Sequence, residues 1–290
     1  MNTLALQRVP PHPALSELIR DIWVLESDGG LSQEEIQVIA PDGSVKITLH
    51  YKGQLVGRVG DQAFVIPEHR LSIVGISDRP TIAAFDRSKP FGCISIDLNP
   101  ASAYRLLAVP QHELRNTIVP LEEAFGMAAI RTLEDRIYMV PNPIQKLAIL
   151  QQFLLRALDR TESDRSFELS AAAIIKAQGL VSMKMLSEIT GLGERWQRNK
   201  FADRLGVSPK TFASLVRFQS SYQALLRNKR DFLQARHFND SYYDQAHYIK
   251  EFKRFIGYSP AKYTTLQNKV GETLYLVREN ENPSPPQSHV

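Results

Sequence analysis

Two hydrophobic periods divide the chain. From Trp23 to Leu98 apolar residues recur at every second position. Val45, Ile47, Leu49 and Tyr51 alternate with Ser44, Lys46, Thr48 and His50, the pattern of a half-buried strand. Turn residues punctuate this stretch at Pro41-Asp42-Gly43, Lys52-Gly53, Gly60-Asp61 and Arg79-Pro80. The runs between them, 36–40, 54–59, 62–66, 71–76, 81–85 and 93–98, predict short strands of an antiparallel barrel or sandwich, a fold able to enclose a pocket. Before it, Pro13 to Ile22 reads as a short helix with Leu15, Leu18, Ile19 and Ile22 inward. Beyond Asn99-Pro100, a cap followed by a proline at the first helical position, the period becomes helical. Ala101–Leu107 is a helix, 110–116 a turn or short helix, and 121–140 and 144–158 two longer helices parted by Pro141-Asn142-Pro143. Ile144, Leu147, Ala148, Leu150, Phe153, Leu154 and Leu158 make a broad apolar face, suited to the barrel or to a second subunit.

Past the polar run Thr161 to Arg165 everything reads as helix. Phe167 to Gln178 places Leu169, Ala173 and Ile174 inward; Ser182–Thr190, Arg195–Leu205, a long helix from Ser208-Pro209 to about Arg227, and Phe232–Phe238 follow. Asp244 is a good cap for the next helix, in which Ala246, Ile249, Phe252 and Ile256 form an apolar stripe opposite His247, Lys250, Glu251 and Arg254. Gly257 stops that helix and Ser259-Pro260 opens another. The same grammar occurs earlier at a constant offset of 51 residues: Phe201, Leu205, Gly206, Ser208, Pro209 and Phe212 return as Phe252, Ile256, Gly257, Ser259, Pro260 and Tyr263. Repetition at a fixed period indicates one supersecondary unit used twice. A helix with an apolar back and a basic front, set between a turn and a capped helix, describes the recognition helix of a helix-turn-helix unit. After about Gln267 the signal fades, and 279–290 has the composition of a disordered tail.

Charge sharpens this division. The net charge of +4 conceals residues 176–269, which hold 17 Lys and Arg against 7 Asp and Glu, whereas residues 1–175 hold 17 against 21. A basic block on a helical domain is the footprint expected of a polyanion partner. No apolar run is long enough to cross a membrane. The opening MNTLALQRVPPHPAL lacks the charge-then-apolar pattern of a secretory leader. A single cysteine, Cys93, allows neither an internal disulfide nor a cysteine zinc cage, which fits a cytoplasmic setting.

The two units together, Phe167 to about Gln267, resemble the DNA-binding domain of the AraC/XylS family of transcription regulators. Tyr243-Asp244-Gln245-Ala246-His247-Tyr248-Ile249-Lys250-Glu251-Phe252-Lys253, followed by Gly257-Tyr258-Ser259-Pro260, carries the resemblance most specifically. The Pro41-Asp42-Gly43 turn, the strand ending near Gly92–Leu98, and Pro100-Ala101-Ser102-Ala103-Tyr104-Arg105-Leu106-Leu107 resemble an uncharacterised barrel-like N-terminal domain found on one branch of these regulators. Departures from the family pattern fall at Gly193, Trp196 and Gln197 in unit one and at Arg236, His237 and Ser241 in unit two. The expected architecture is multidomain α+β. Residues 1–165 form an antiparallel β-barrel-like domain with flanking helices that senses a ligand or oligomerises. Residues 166–269 form an all-α domain of two helix-turn-helix units joined by a long helix, and 270–290 a tail.

The resemblance also implies roles. Arg195, Arg198 and Asn199, one helix face by their i, i+3, i+4 spacing, and Gln245, His247 and Lys250 correspond to the family's base-facing positions. Arg reads guanine and Asn or Gln reads adenine with paired hydrogen bonds. Helix N-termini headed by Ser208 and Ser259 suit phosphate, with Lys210, Lys253 and Arg254 adding charge and Arg204, Arg217 and Lys262 available besides. The implied partner is double-stranded DNA; RNA polymerase, an unidentified small-molecule effector and a second copy of the chain are further partners this reading admits. It assigns no catalytic residue, cofactor or metal. Two enzyme alternatives stand beside it. An alkyl-transfer repair protein would need Cys93 as an activated nucleophile, but Gly92-Cys93-Ile94 reads as buried strand. A metal-binding barrel enzyme would need ligands closer in spacing than His50, Glu68 and His69.

Overall fold

Strands β2 (Ile19–Ser27) and β9 (Phe91–Leu98) form the spine of the N-terminal half, paired antiparallel along their whole length. The computed structural model describes residues 4–29, 37–85, 89–107, 109–158, 162–227, 245–266 and 268–276. Around the spine lies a six-stranded antiparallel sheet with β1 (Leu4–Arg8), β4 (Lys46–Lys52), β7 (Leu71–Val74) and β10 (Ile118–Pro120), in the order β1-β2-β9-β4-β7-β10. A second sheet runs β3-β8-β5-β6, from β3 (Gln37–Ile39), β5 (Leu55–Val59), β6 (Gln62–Ile66) and β8 (Thr81–Phe85). This is the antiparallel, barrel-like domain that the period-two pattern predicts.

The larger sheet is buried on both faces. Ile22 and Val24 of β2, Ile47 and Leu49 of β4, and Ile94 and Ile96 of β9 belong to the main core, together with residues of the flanking helices. The alternate residues, Trp23 and Leu25, Thr48 and His50, Cys93 and Ser95, line a cavity between the two sheets. The polar face of β4, expected to be half-buried, is therefore an interior wall. One sequence expectation is corrected here. Only Pro13–Leu15 is helical, a 3-10 turn, and the chain is strand from Ile19. Leu15, Leu18, Ile19 and Ile22 are all buried as expected, but a bulge between Ile19 and Asp21 brings Ile19 and Ile22 inward from a strand.

The N-terminal half is completed by α1 (Ala103–Leu107), α2 (Glu122–Phe125), α3 (Met127–Tyr138) and α4 (Pro143–Arg156). The predicted helix 121–140 breaks at Gly126, whose φ of 84° lies outside the helical region. Asn142 caps α4, its Oδ1 accepting the Ile144 N–H at 2.7 Å. Leu147, Leu150 and Leu154 of α4 lie in the same continuous core as the sheet, so most of the face offered to a second subunit is used internally.

Seven helices follow among the described residues: α5 (Arg165–Lys176), α6 (Met183–Thr190), α7 (Glu194–Leu205), α8 (Pro209–Arg227), α9 (Gln245–Ile256), α10 (Pro260–Tyr263) and α11 (Lys269–Leu276). The expected helix 232–238, the Asp244 cap, Arg236, His237 and Ser241 lie outside the described residues. Helix α5 is turned relative to expectation. Phe167, Ser170, Ala171 and Ile174 face in and Leu169 is 62% exposed, because the Phe167 ring is seated between Tyr104 and Phe201, 5.6 and 5.1 Å away. A second correction concerns the tail: 269–276 form α11, with Val270, Leu274 and Tyr275 buried. Eight residues are too few to announce a helix by periodicity, and tertiary packing supplies its stability.

The helical part is seated firmly on the sheets. The Pro41-Asp42-Gly43 turn abuts α8, where a Cβ on Gly43 would stand 3.3 Å from Gln219 and 3.5 Å from Phe212. The 3-10 turn Gln111–Leu114 packs on α7 so closely that a Cβ on Gly206 would lie 2.4 Å from the Gln111 carbonyl oxygen. Asp164 caps α5 and binds Lys200 at 2.7 Å, while Arg204 lies over the Tyr104 ring at 4.7 Å. Asn268, just before α11, pairs its side-chain amide with both the N–H and the C=O of Val38, each at 2.8 Å.

Candidate nucleic-acid interface

Where both copies of the repeat are described, around Gly206 and Gly257, they adopt one geometry. Gly206 and Gly257 end α7 and α9 in the left-handed conformation, at φ of 86° and 84°. Ser208 Oγ accepts the Thr211 N–H at 3.1 Å and Ser259 Oγ accepts the Lys262 N–H at 3.3 Å, each capping the next helix. Phe201 and Phe252, Leu205 and Ile256, Phe212 and Tyr263 are all buried at equivalent places. The sequence periodicity thus corresponds to two helix, glycine, serine-capped helix units joined by the 19-residue α8.

The expected base-facing residues lie on the outside of these units. Arg195, Arg198 and Asn199 are exposed on α7, and Gln245, His247 and Lys250 are exposed on α9. Arg198 is held by Glu194 one turn earlier at 2.8 Å, which orients the guanidinium without burying it. His247 stands at the edge of a cavity of about 410 Å³ between α6, α8 and α9, lined also by Ser182, Lys210, Arg217 and Glu251. Gln197, one of the departures from the resemblance, is fully buried; its Nε2 donates to the Leu192 carbonyl at 3.2 Å and to Thr190 Oγ1 at 3.3 Å, while Oε1 has no partner among the described residues. It therefore braces the turn between α6 and α7 from inside.

Several cations expected at phosphates are engaged within the protein. Arg254 on α9 pairs with Asp78 of the N-terminal half, which also takes Arg115 at 2.9 Å and the Asn116 amide at 2.8 Å. Burial opposes ionisation of Asp78, but the hydrogen bonds from Arg115, Asn116 and Arg254 outweigh it and hold its carboxyl down at about 2. Arg217 binds Glu251 at 3.0 Å, and Arg204 lies 3.7 Å from Asp164. Lys210, Lys253 and Lys262 are exposed. The stripe of α9 is also corrected: Tyr248, Glu251, Phe252, Phe255 and Ile256 are buried and Ala246 is exposed. Glu251 is inside because Arg217 of α8 meets it there, a pairing invisible to a period count.

Cys93 is buried, and burial pushes its thiol above the usual range, the opposite of an activated nucleophile. Among the described residues no helix is long and apolar enough to cross a membrane.

Residues 7–120 match the family model described as a domain of unknown function, DUF6597. No curated protein matches the chain. Among solved structures, ToxT from Vibrio cholerae is similar at 10% identity and a TM-score of 0.48, covering 83% of this chain and 97% of that one. Wild-type ToxT of Vibrio cholerae strain SCE256 with an unsaturated fatty acid bound is similar at 11% identity and a TM-score of 0.47, covering 86% and 95%. The cupin domain of an XRE family transcriptional regulator from Enterobacter cloacae is similar at 13% identity and a TM-score of 0.27, covering 33% of this chain and 97% of that one.

Proposed function

We propose that the chain is a sequence-specific DNA-binding transcription regulator of the AraC/XylS kind, acting in the cytoplasm. Its two helix-turn-helix units read adjacent stretches of one duplex, and its N-terminal domain, residues 1–165, senses a ligand. The observation that carries this reading is the repeat: one local sequence grammar, found twice at a fixed offset, gives the same cap and stop geometry twice, each time with a polar set facing outward. Nothing in core packing requires Arg195, Arg198 and Asn199, or Gln245, His247 and Lys250, to lie outside; at the 51-residue offset Asn199 coincides with Lys250.

Helix α8 sets the scale. Nineteen residues span about 28 Å at 1.5 Å each, close to the ~34 Å repeat of the major groove on one face of B-DNA. One polypeptide thus addresses two successive grooves without a two-fold partner. The backbone N–H groups at the starts of α8 and α10, with the exposed Lys210 of α8 and Lys253 of α9 adding charge, supply phosphate contacts that fix register.

The test begins with selection of bound duplexes from random DNA, followed by titration of the selected site. Arg198→Ala and Lys250→Ala should each weaken binding to that site by ~1–3 kcal/mol while changing random DNA little. Equal loss on both kinds of DNA would remove base reading from these residues; failure to select any duplex would remove the function.

A further inference from the structure

We infer that the cavity between the two sheets is a binding site for a small, uncharged, ring-sized molecule carrying one hydroxyl group, and that α11 is the wall through which its occupancy reaches the DNA-reading helices. The cavity measures about 100 Å³. That is the scale of an engineered ~150 Å³ apolar cavity that accepts benzene. Its wall is mostly apolar, with Trp23, Leu25, Phe64, Phe85, Phe91 and Leu274 prominent.

Two polar groups on this wall are unsatisfied. Thr48 Oγ1 and His50 Nδ1 have no hydrogen-bond partner among the described residues, although the two residues are only 5% and 2% exposed. They stand two apart on β4 and point to the same side, about 7 Å from each other along the strand. Leaving such groups buried and unpaired is costly, and native proteins place a water or a ligand against them. Burial holds the His50 imidazole neutral, its pKa lowered to about 4, so one ring nitrogen donates and the other accepts. A ligand hydroxyl both donates and accepts, so it can satisfy His50 Nδ1 whichever of these roles that atom takes.

A charged ligand is excluded by the ions nearby, which are already matched. Lys46 binds Asp97 at 2.9 Å and also Asp42, and Arg20 binds Asp42 at 3.0 Å. A carboxylate or ammonium entering the cavity would lose its hydration without meeting an unmatched counter-charge.

The route outward is a run of specific contacts. Val270, Leu274 and Tyr275 of α11 line the cavity directly. Tyr275 Oη donates to the carbonyls of Ala40 and Pro41 at 3.1 and 2.8 Å, and the Val270 N–H donates to Gln37 Oε1 at 2.8 Å. Asn268, paired with Val38 of β3, also donates to Tyr263 Oη at 2.7 Å, and Tyr263 Oη meets Tyr222 Oη of α8 at 2.6 Å. Cavity wall, unit two and joining helix are thereby one connected body. This coupling, unlike the binding site itself, rests on the DNA-reading function proposed above.

The experiment uses the full chain and three probes of one size, phenol, toluene and benzoate, titrated by calorimetry without DNA. Phenol should bind at least ten-fold more tightly than toluene, and benzoate more weakly than either. His50→Leu should bring phenol to the toluene value and leave toluene unchanged. With Trp196→Phe the remaining tryptophan is Trp23, whose fluorescence should change on phenol binding. Equal affinity for phenol and toluene, preference for benzoate, no binding at all, or a phenol affinity indifferent to His50→Leu would each overturn the site. Phenol should then shift DNA affinity at least three-fold in the native chain and not in Asn268→Ala. Binding without that shift would overturn the coupling and leave the site standing; failure to bind DNA in the absence of any probe would instead count against the proposed function.

Discussion

Replacing Asp78 by alanine should make the protein bind DNA more tightly. The carboxylate joins Arg115 and Asn116 of the N-terminal half to Arg254 on α9. Its carboxyl is held at about 2 against an ordinary 3.8, a gap equivalent to about 2.4 kcal/mol between charged and neutral forms. Arg115 and Arg254 are 43% and 39% exposed, so solvent screens the pairing, and the part belonging to Arg254 is about 1 kcal/mol. A phosphate that recruits Arg254 must first displace Asp78 at that cost. Asp78→Ala removes the competitor, so affinity should rise about five-fold, the factor that ~1 kcal/mol represents. Removing the carboxylate charge beside Arg254 should steepen the slope of log affinity against log salt by up to about 0.9. The assay is fluorescence anisotropy of the selected duplex across about 50 to 200 mM salt, for the native chain, Asp78→Ala, Arg254→Ala and the double variant. In the Arg254→Ala background Asp78→Ala should do nothing. A gain that survives there, or an unchanged salt slope, would refute the reasoning.

Two further expectations concern stability. His50 has its pKa lowered from 6.5 to about 4, so the folded chain binds fewer protons than the unfolded chain between those values. Its neutral burial therefore contributes fully above about pH 6.5 and is lost as pH falls to about 4, up to ~3 kcal/mol. The urea midpoint should accordingly fall further on acidification for the native chain than for His50→Leu; parallel losses would show that the imidazole is protonated or satisfied in the fold. Gly206→Ala and Gly257→Ala bear similar backbone strain, roughly 1–2 kcal/mol each. Only the first sets a Cβ 2.4 Å from a backbone oxygen, whereas the second meets Pro80 at an ordinary 3.5 Å. Thermal unfolding should separate them, with Gly206→Ala the lower, and equal melting temperatures would mean that the close approach at Gln111 relaxes without cost.

Much of the architecture is readable because burial in the β domain follows parity and the repeat follows a constant offset. Strands at 62–66 and 81–85 lie where alternation and turn residues place them, and α8 begins at Pro209 where Ser208-Pro209 predicts a helix start. What the pattern conceals is the use of polar positions. Thr48 and His50 alternate with aliphatic residues just as solvent-facing side chains do, and only the second sheet across from them reveals an interior wall. Glu251 looks like surface until Arg217 of α8 is opposite it, and Arg254 looks available until Asp78 is. Leu169 departs from its expected place because a neighbouring Phe, not the count of apolar residues, sets the rotation of α5. Each of these depends on a partner far away in sequence, which periodicity cannot carry.

The pairing of Asn268 with Val38 has a consequence for synthesis. Strand β3 is the last strand of its sheet, and its outer groups at Val38 are met by a side chain 230 residues later. At about 5–20 residues per second, a ribosome needs roughly 10–50 s to make the residues between. Throughout that interval the nascent chain presents an unpaired sheet edge, the kind of surface that recruits strands from neighbouring chains. Premature termination before Asn268 would leave that edge permanently open, so truncated products should be far more dependent on chaperones than their length suggests.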